Sequence, residues 1–113
     1  MPDYLFLIRG CDSDKMSPEQ MQQHVQKCLT WIDQMTREGT FKSSEPLEKT
    51  GKVISGPKHV VTDGPYAESK DLVSGYVMIK AASLTKATEI ARACPMGENA
   101  ASVEVRELRA LTA

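Results

Sequence analysis

A strand-forming segment near the N-terminus is apolar on both faces, which limits the folds that the chain can adopt. In the segment DYLFLIRG, Leu5 and Leu7 alternate with Tyr4, Phe6 and Ile8. A strand with two apolar faces has to be covered on both sides. The segment therefore predicts a central strand of a sheet.

A long amphipathic helix follows this strand. Ser17 is predicted as the N-cap, Pro18 occupies the first helical position and Gln20 completes a capping box. Gly39 is predicted to end the helix. Apolar residues recur every three or four positions between these ends, which predicts one buried face. This stripe consists of Met21, Val25, Cys28, Ile32 and Met35.

The remaining elements are shorter and are separated by glycine and proline. Residues 52–55 and 58–62 are predicted to form a small hairpin, and residues 73–81 a longer strand. Ser83 is predicted to cap a second helix that Pro95 ends, before a last strand of alternating valines and charged residues. This order predicts an α+β fold, a ferredoxin-like split β-α-β domain with an inserted hairpin.

In such a fold both helices are expected to pack on one face of the sheet. The other face is expected to carry Tyr4, Phe6, Tyr76 and Met78, which are too apolar to remain in water. We therefore predict a homodimer through the open sheet face, with sheet packed against sheet.

Composition excludes several classes of protein. With 113 residues, the chain is predicted to be one domain, residues 1–113. Its net charge of −1 argues against direct nucleic-acid binding. The longest apolar run, residues 4–8, is too short to span a membrane, so a cytoplasmic protein is expected. Three widely spaced cysteines predict reduced thiols, and neither a metal site nor a cofactor is expected.

Several motifs resemble the YCII-related family, in particular its DGPF branch. They are the segment VVTDGPYAESKDLVSGYVMIKAASLTKATEIARACP, the ending SVEVREL and the first-helix segment MSPEQMQQH. The motif that names the branch corresponds here to Asp63, Gly64, Pro65 and Tyr66. The resemblance implies a ferredoxin-like fold that forms a dimeric α/β barrel.

The resemblance also implies a site that combines a histidine of the first helix with an aspartate. His24 matches the histidine. In the YCII branch the aspartate precedes a proline at the end of the second helix, where this chain has Cys94 before Pro95. Asp63 is therefore predicted to be the acidic partner, with Glu68 in reserve.

The residues themselves leave two interpretations of His24 open. It lies at the edge of the apolar stripe, on the same flank as Trp31 and one turn from Cys28. Histidine titrates near neutral pH, so His24 can act as a general acid or base at a cavity between the first helix and the sheet. The alternative is a half-buried histidine that binds a backbone carbonyl.

The other candidate residues also have two interpretations each. Asp63 either shapes a Gly-Pro turn or holds a carboxylate beside His24. Tyr66 either covers the barrel mouth or donates a hydrogen bond to a ligand. Glu68 belongs to a solvated charge pair or to the site. Cys28 is either core or a thiol partner of His24.

Three functional hypotheses follow. The first is an enzyme without a cofactor, with His24 and Asp63 as catalytic residues and an elimination, isomerisation or hydrolysis as the reaction. Its small organic substrate would contact Tyr66, Glu68, Trp31 and Cys28. The second is a non-catalytic ligand-binding or interaction module, associated with sigma factors and transcription. The third is a redox or metal-linked role of Cys28 with His24.

Overall fold

The part of the chain that the structure describes folds into two α-helices and two antiparallel sheets. The computed structural model describes residues 1–65, 68 and 70–112. In chain order the elements are β1 (Asp3–Arg9), α1 (Pro18–Arg37), β2 (Phe41–Pro46), β3 (Gly51–Ser55), β4 (Val60–Gly64), β5 (Val73–Lys80), α2 (Leu84–Ala93) and β6 (Ser102–Glu107).

The larger sheet has the strand order β2-β5-β1-β6, with neighbouring strands antiparallel. β3 and β4 form a separate two-stranded hairpin, inserted between β2 and β5. This arrangement confirms the prediction of an α+β, ferredoxin-like fold with an inserted hairpin, and it confirms that β1 is central.

The helix ends lie where the capping residues predict them. The Ser17 hydroxyl accepts the backbone N–H of Gln20 at 3.1 Å, and the Gln20 side chain accepts the backbone N–H of Ser17 at 2.9 Å. Pro18 occupies the first helical position. Gly39 has a φ of 75°, the left-handed conformation that glycine adopts after a helix. The Ser83 hydroxyl caps α2 in the same way as Ser17 caps α1.

The core lies between the helices and one face of the sheet, and the aromatic side chains of β1 belong to it. The register pairs Tyr4 with Ile79 and Phe6 with Val77, and all four residues are buried. Trp31 of α1, with Ala87 and Ala91 of α2, completes this cluster.

The prediction for the open sheet face was therefore wrong for two of its four residues. Tyr4 and Phe6 point to the helices, and the opposite face carries Leu5, Leu7, Tyr76 and Met78, each half-buried. Because both faces of β1 are apolar, alternation alone did not show which of them meets the helices.

The DGP segment is also not the simple turn that the sequence predicted. Asp63 and Gly64 are the last two residues of β4, where they pair with Lys52 and Gly51 of β3. The polar connection to β5 begins only at Pro65. The hairpin itself is confirmed, but its second strand is Val60–Gly64 and not residues 58–62.

Neither helix of the described residues has the length and apolar character that crossing a membrane requires.

Core burial generates the first prediction. Phe6 has no exposed surface, whereas Leu29 on α1 is 55% exposed. Phe6→Ala is expected to lower the free energy of unfolding by about 3–5 kcal/mol, because a large buried side chain leaves a cavity. Leu29→Ala is expected to lower the free energy of unfolding by less than about 1 kcal/mol. Urea denaturation followed by circular dichroism measures both, and equal losses would contradict this assignment of the core.

Candidate functional site

The N-terminal half of α1 stands away from the sheet and leaves a cavity of about 650 Å³. Near the C-terminal end of the helix, Trp31 is buried, and Ile32 and Met35 pack against the core. Towards the N-terminal end, Val25 and Leu29 remain 45% and 55% exposed and line the cavity instead. The apolar stripe of the helix thus divides between core and cavity.

Small side chains in the sheet explain where the cavity forms. Phe6, Val77 and Ile79 fill the space between helices and sheet at one end. At the other end the sheet contributes Gly75 and Ser44, both of which line the cavity. A Cβ atom on Gly75 would lie 3.0 Å from the carbonyl oxygen of Glu45 on β2, so a larger residue does not fit without a backbone shift.

The cavity has the size and the predominantly apolar walls of a small-molecule site. Its lining comes from α1, from the end of β1 and the loop after it, from the β2–β3 connection and from the start of β5. The apolar and sulfur-containing side chains among the lining residues are Ile8, Cys11, Met16, Met21, Val25, Cys28, Leu29, Ile32, Leu47, Leu72, Val73 and Met96.

His24 is the imidazole in this wall. Its Nε2 lies 3.6 Å from the Sγ of Cys28, one helical turn further on. Its Nδ1 is buried and has no hydrogen-bond partner among the residues that the structure describes. Nδ1 is thus inaccessible, and the contact of Nε2 is the thiol of Cys28.

The three cysteines are unpaired thiols. Cys28 and Cys11 line the cavity, and partial burial raises the pKa of each thiol above its ordinary value. Burial raises the pKa of Cys94 to about 11, with a smaller contribution from the neighbouring Cys28. Cys94 is thus a protonated core thiol, where the YCII branch has an aspartate.

Ion pairs connect two of the segments that line the cavity. Lys49, in the β2–β3 connection, pairs with Asp14 and lies 3.6 Å from an oxygen of Asp12, both in the loop before α1. The hydrogen bond to Asp14, supported by the charges of Asp14 and Asp12, raises the pKa of Lys49. These contacts hold the β2–β3 connection against the β1–α1 loop.

The structure brings two of the predicted site residues together, His24 and Cys28. Trp31 packs edge to face on Phe41 in the core, with ring centroids 6.3 Å apart, and does not line the cavity. Glu68 is exposed, and its backbone carbonyl accepts hydrogen bonds from the N–H groups of Asp71 and Leu72. Tyr66 lies outside the described residues.

Asp63 is not brought to His24 in this chain. Its side chain is 87% exposed and forms an ion pair with Lys52 across the hairpin, because the two residues are directly opposite in the β3–β4 register. It neither lines the cavity nor bonds to the imidazole. A catalytic role for Asp63 stays a prediction that no contact among the described residues supports.

Sequence reasoning missed the side chains from the loops, including Cys11, Asp14, Glu48, Lys49 and Met96. No periodicity marks loop residues, and their convergence depends on the path of the β2–β3 connection. Within the described ranges, no cluster of three His, Cys, Asp or Glu side chains is arranged to hold a metal ion.

Comparison with known proteins gives a family but no activity. No curated protein matches the chain in sequence. Among solved structures, the chain resembles 5-chloro-2-hydroxyhydroquinone dehydrochlorinase from Burkholderia phenoliruptrix AC1100, in complex with 2,5-dihydroxybenzoquinone. The identity is 11% and the TM-score 0.48, over 96% of this chain and 94% of that one, a likeness too weak to bear on chemistry. The YCII-related domain, in contrast, matches residues 3–112. The chain therefore belongs to the YCII-related domain family.

Proposed function

We propose that this protein is an enzyme without a cofactor, which binds a small organic molecule in the cavity and uses His24 as a general acid or base. The reaction class is a proton transfer that leads to elimination, isomerisation or hydrolysis. We also assign the chain to the DGPF branch of the family, on the sequence of residues 63–66.

The observation that supports the proposal is the environment of Nε2 of His24. His24 lines the cavity, and the contact of its Nε2 is a 3.6 Å approach to the thiol of Cys28. Sulfur is a weak hydrogen-bond partner, so a substrate group can displace it at small cost. An imidazole that a substrate can reach in an apolar cavity has the position that proton transfer requires.

In this mechanism the neutral imidazole removes a proton from the substrate through Nε2 and later returns it. The apolar walls exclude water and strengthen the electrostatic interactions of the reacting groups. The buried Nδ1 carries the other proton without an acceptor among the described residues. Because a paired carboxylate normally stabilises the imidazolium, we expect a modest rate enhancement from this arrangement.

A proton-abstraction probe tests the proposal without knowledge of the natural substrate. The neutral compound 5-nitrobenzisoxazole opens to an absorbing phenolate when a base removes its C–H proton. The protein is expected to accelerate this opening, and His24→Asn is expected to reduce the acceleration by at least about tenfold. His59→Asn is the matched control, because His59 is an exposed histidine of the hairpin with a φ of 53° that asparagine tolerates.

Equal rates for the two variants would contradict the proposal. Binding of the compound without acceleration would favour the second hypothesis, a non-catalytic ligand-binding module. Asp63→Asn separates the two forms of the enzyme hypothesis. We expect it to leave the rate unchanged, and a loss comparable to that of His24→Asn would restore Asp63 as the partner.

Thiol chemistry is the rival mechanism, and alkylation tests it. At pH 8, a thiol with a pKa of about 11 is thiolate in about one molecule in a thousand, and Cys94 is also buried. Iodoacetamide is therefore expected to label Cys94 most slowly, and to label Cys11 and Cys28 more slowly than free glutathione. Peptide mass spectrometry measures the three rates. Labelling of Cys28 faster than glutathione would support a nucleophilic thiol instead.

We further propose that the protein is a homodimer through the open sheet face. Leu5, Leu7, Tyr76 and Met78 form a contiguous apolar surface there, because Leu5 is opposite Met78 and Leu7 is opposite Tyr76. An apolar sheet face of this kind is typical of an association surface, and a two-fold axis lets the same face serve both partners.

A charge in this face is expected to separate the subunits. Leu7→Glu should give a folded monomer, whereas Leu84→Glu, at an exposed leucine of α2, should leave the dimer intact. Size-exclusion chromatography with light scattering measures the mass, and circular dichroism checks the fold. A wild-type monomer, or a Leu7→Glu dimer, would contradict the proposed interface.

A further inference from the structure

We infer that the substrate of the cavity is an apolar molecule without negative charge. It is either neutral or carries a positive group at the rim of the cavity, where Glu48 and Lys49 lie. This inference rests on the proposed function, because it concerns the ligand of the same site. It follows from which charges and which hydrogen-bond donors face the cavity.

The cavity offers an anion no free cation. Among the described residues that line it, Lys49 is the one that carries a permanent positive charge. Lys49 is already paired with Asp14 and lies close to Asp12. The residues of the neighbouring connection that the structure does not describe are two small residues and a tyrosine, so they add no cation.

Carboxylates outnumber cations in the lining. Asp14 and Glu48 are acidic lining residues of the loops, against the single Lys49. Glu45 also lines the cavity, but it is opposite Tyr76 in the register and so belongs to the open sheet face. Glu48 is exposed and forms no ion pair with any residue that the structure describes. An incoming anion would approach the uncompensated charge of Glu48, and a cation would be attracted to it.

The serine and threonine hydroxyl groups that line the cavity are neutral donors, so they do not supply the charge of a cation; they belong to Ser13, Ser44, Thr50 and Ser74. The Ser74 hydroxyl lies within hydrogen-bond distance of the N–H and carbonyl of Cys11 and of the Leu72 carbonyl, so its bonding capacity is used inside the protein. The N-terminus of α1, where anions commonly bind, is closed by its capping box, and Ser17 to Gln20 do not line the cavity. A buried carboxylate would therefore lose its hydration without a cationic partner, which is strongly unfavourable.

Three naphthalene probes of similar size and different charge test the inference. They are 2-naphthol, which is neutral at pH 7, 2-naphthylmethylamine, which is a cation, and 2-naphthoate, which is an anion. Isothermal titration calorimetry of the full chain with each probe, at low and at physiological salt, measures their affinities. We expect the neutral and cationic probes to bind at least about tenfold more tightly than the anion.

A matched pair of variants separates the rim charge from the overall charge of the protein. Glu48→Gln is expected to reduce the preference for the cation over the anion by about threefold at low salt. Glu89→Gln removes the same charge from the exposed face of α2, away from the cavity, and is expected to leave the preference unchanged. If the two variants change the preference for the cation equally, the charge of Glu48 at the rim does not determine that preference.

The outcomes distinguish this inference from the proposed function. If 2-naphthoate binds as tightly as 2-naphthol, the inference that the cavity excludes anions is overturned. Proton abstraction that depends on His24 would still support the proposed enzyme. If no probe binds, the inference is overturned together with the use of the cavity as a ligand site. The probes can also bind in the expected order while the opening of 5-nitrobenzisoxazole does not depend on His24. In that case the preference against anions is confirmed and the proposed proton transfer is wrong.

Discussion

The antiparallel register between β1 and β5 is the constraint on which the rest of the structure depends. It places Phe6 opposite Val77 and Ile8 opposite Gly75, on the face that meets the helices. The first pair is bulky and holds α1 and α2 by burial, whereas the second pair lines the cavity below the start of α1. One strand pair therefore provides the core at one end and the cavity at the other, and the same register leaves a row of apolar side chains on the opposite face.

The environment of His24 follows from this arrangement. The N-terminal half of α1 presents its apolar stripe to the cavity, so His24 and Cys28, one turn apart, share its wall. A carboxylate on the inner side of the imidazole would satisfy Nδ1, which is the usual role of an acidic partner. Cys94, protonated and buried, is at the position where the resemblance to the YCII branch implies a carboxylate. The orphaned Nδ1 and the substitution at residue 94 are consistent with a site that relies on the imidazole itself.

The sequence predicted the parts of the fold that short-range chemistry controls. Capping residues such as Ser17 and Gly39 set the ends of α1, and alternation identified β5 and β6, because these signals act within a few residues. The face that β1 turns to the helices was not predictable, since both faces are apolar.

The same limit applied to the site. His24 and Cys28 were predicted together because four residues make one helical turn. Asp63 was assigned to the site through its motif, but strand pairing with β3 places it opposite Lys52. The charged rim at Glu48 and Lys49 depends on tertiary contacts between loops, which leave no pattern in the sequence.

Nuclear Overhauser effects from bound 2-naphthol to the methionine methyl groups test most directly that ligands bind beside His24. Met16, Met21 and Met96 line the cavity, whereas Met78 lies on the open sheet face, so labelled methyl groups distinguish the two surfaces. Cross-peaks to Met21 and Met96 that His24→Trp abolishes are the predicted result. Cross-peaks to Met78 alone would place the ligand on the sheet face and contradict the cavity as the site.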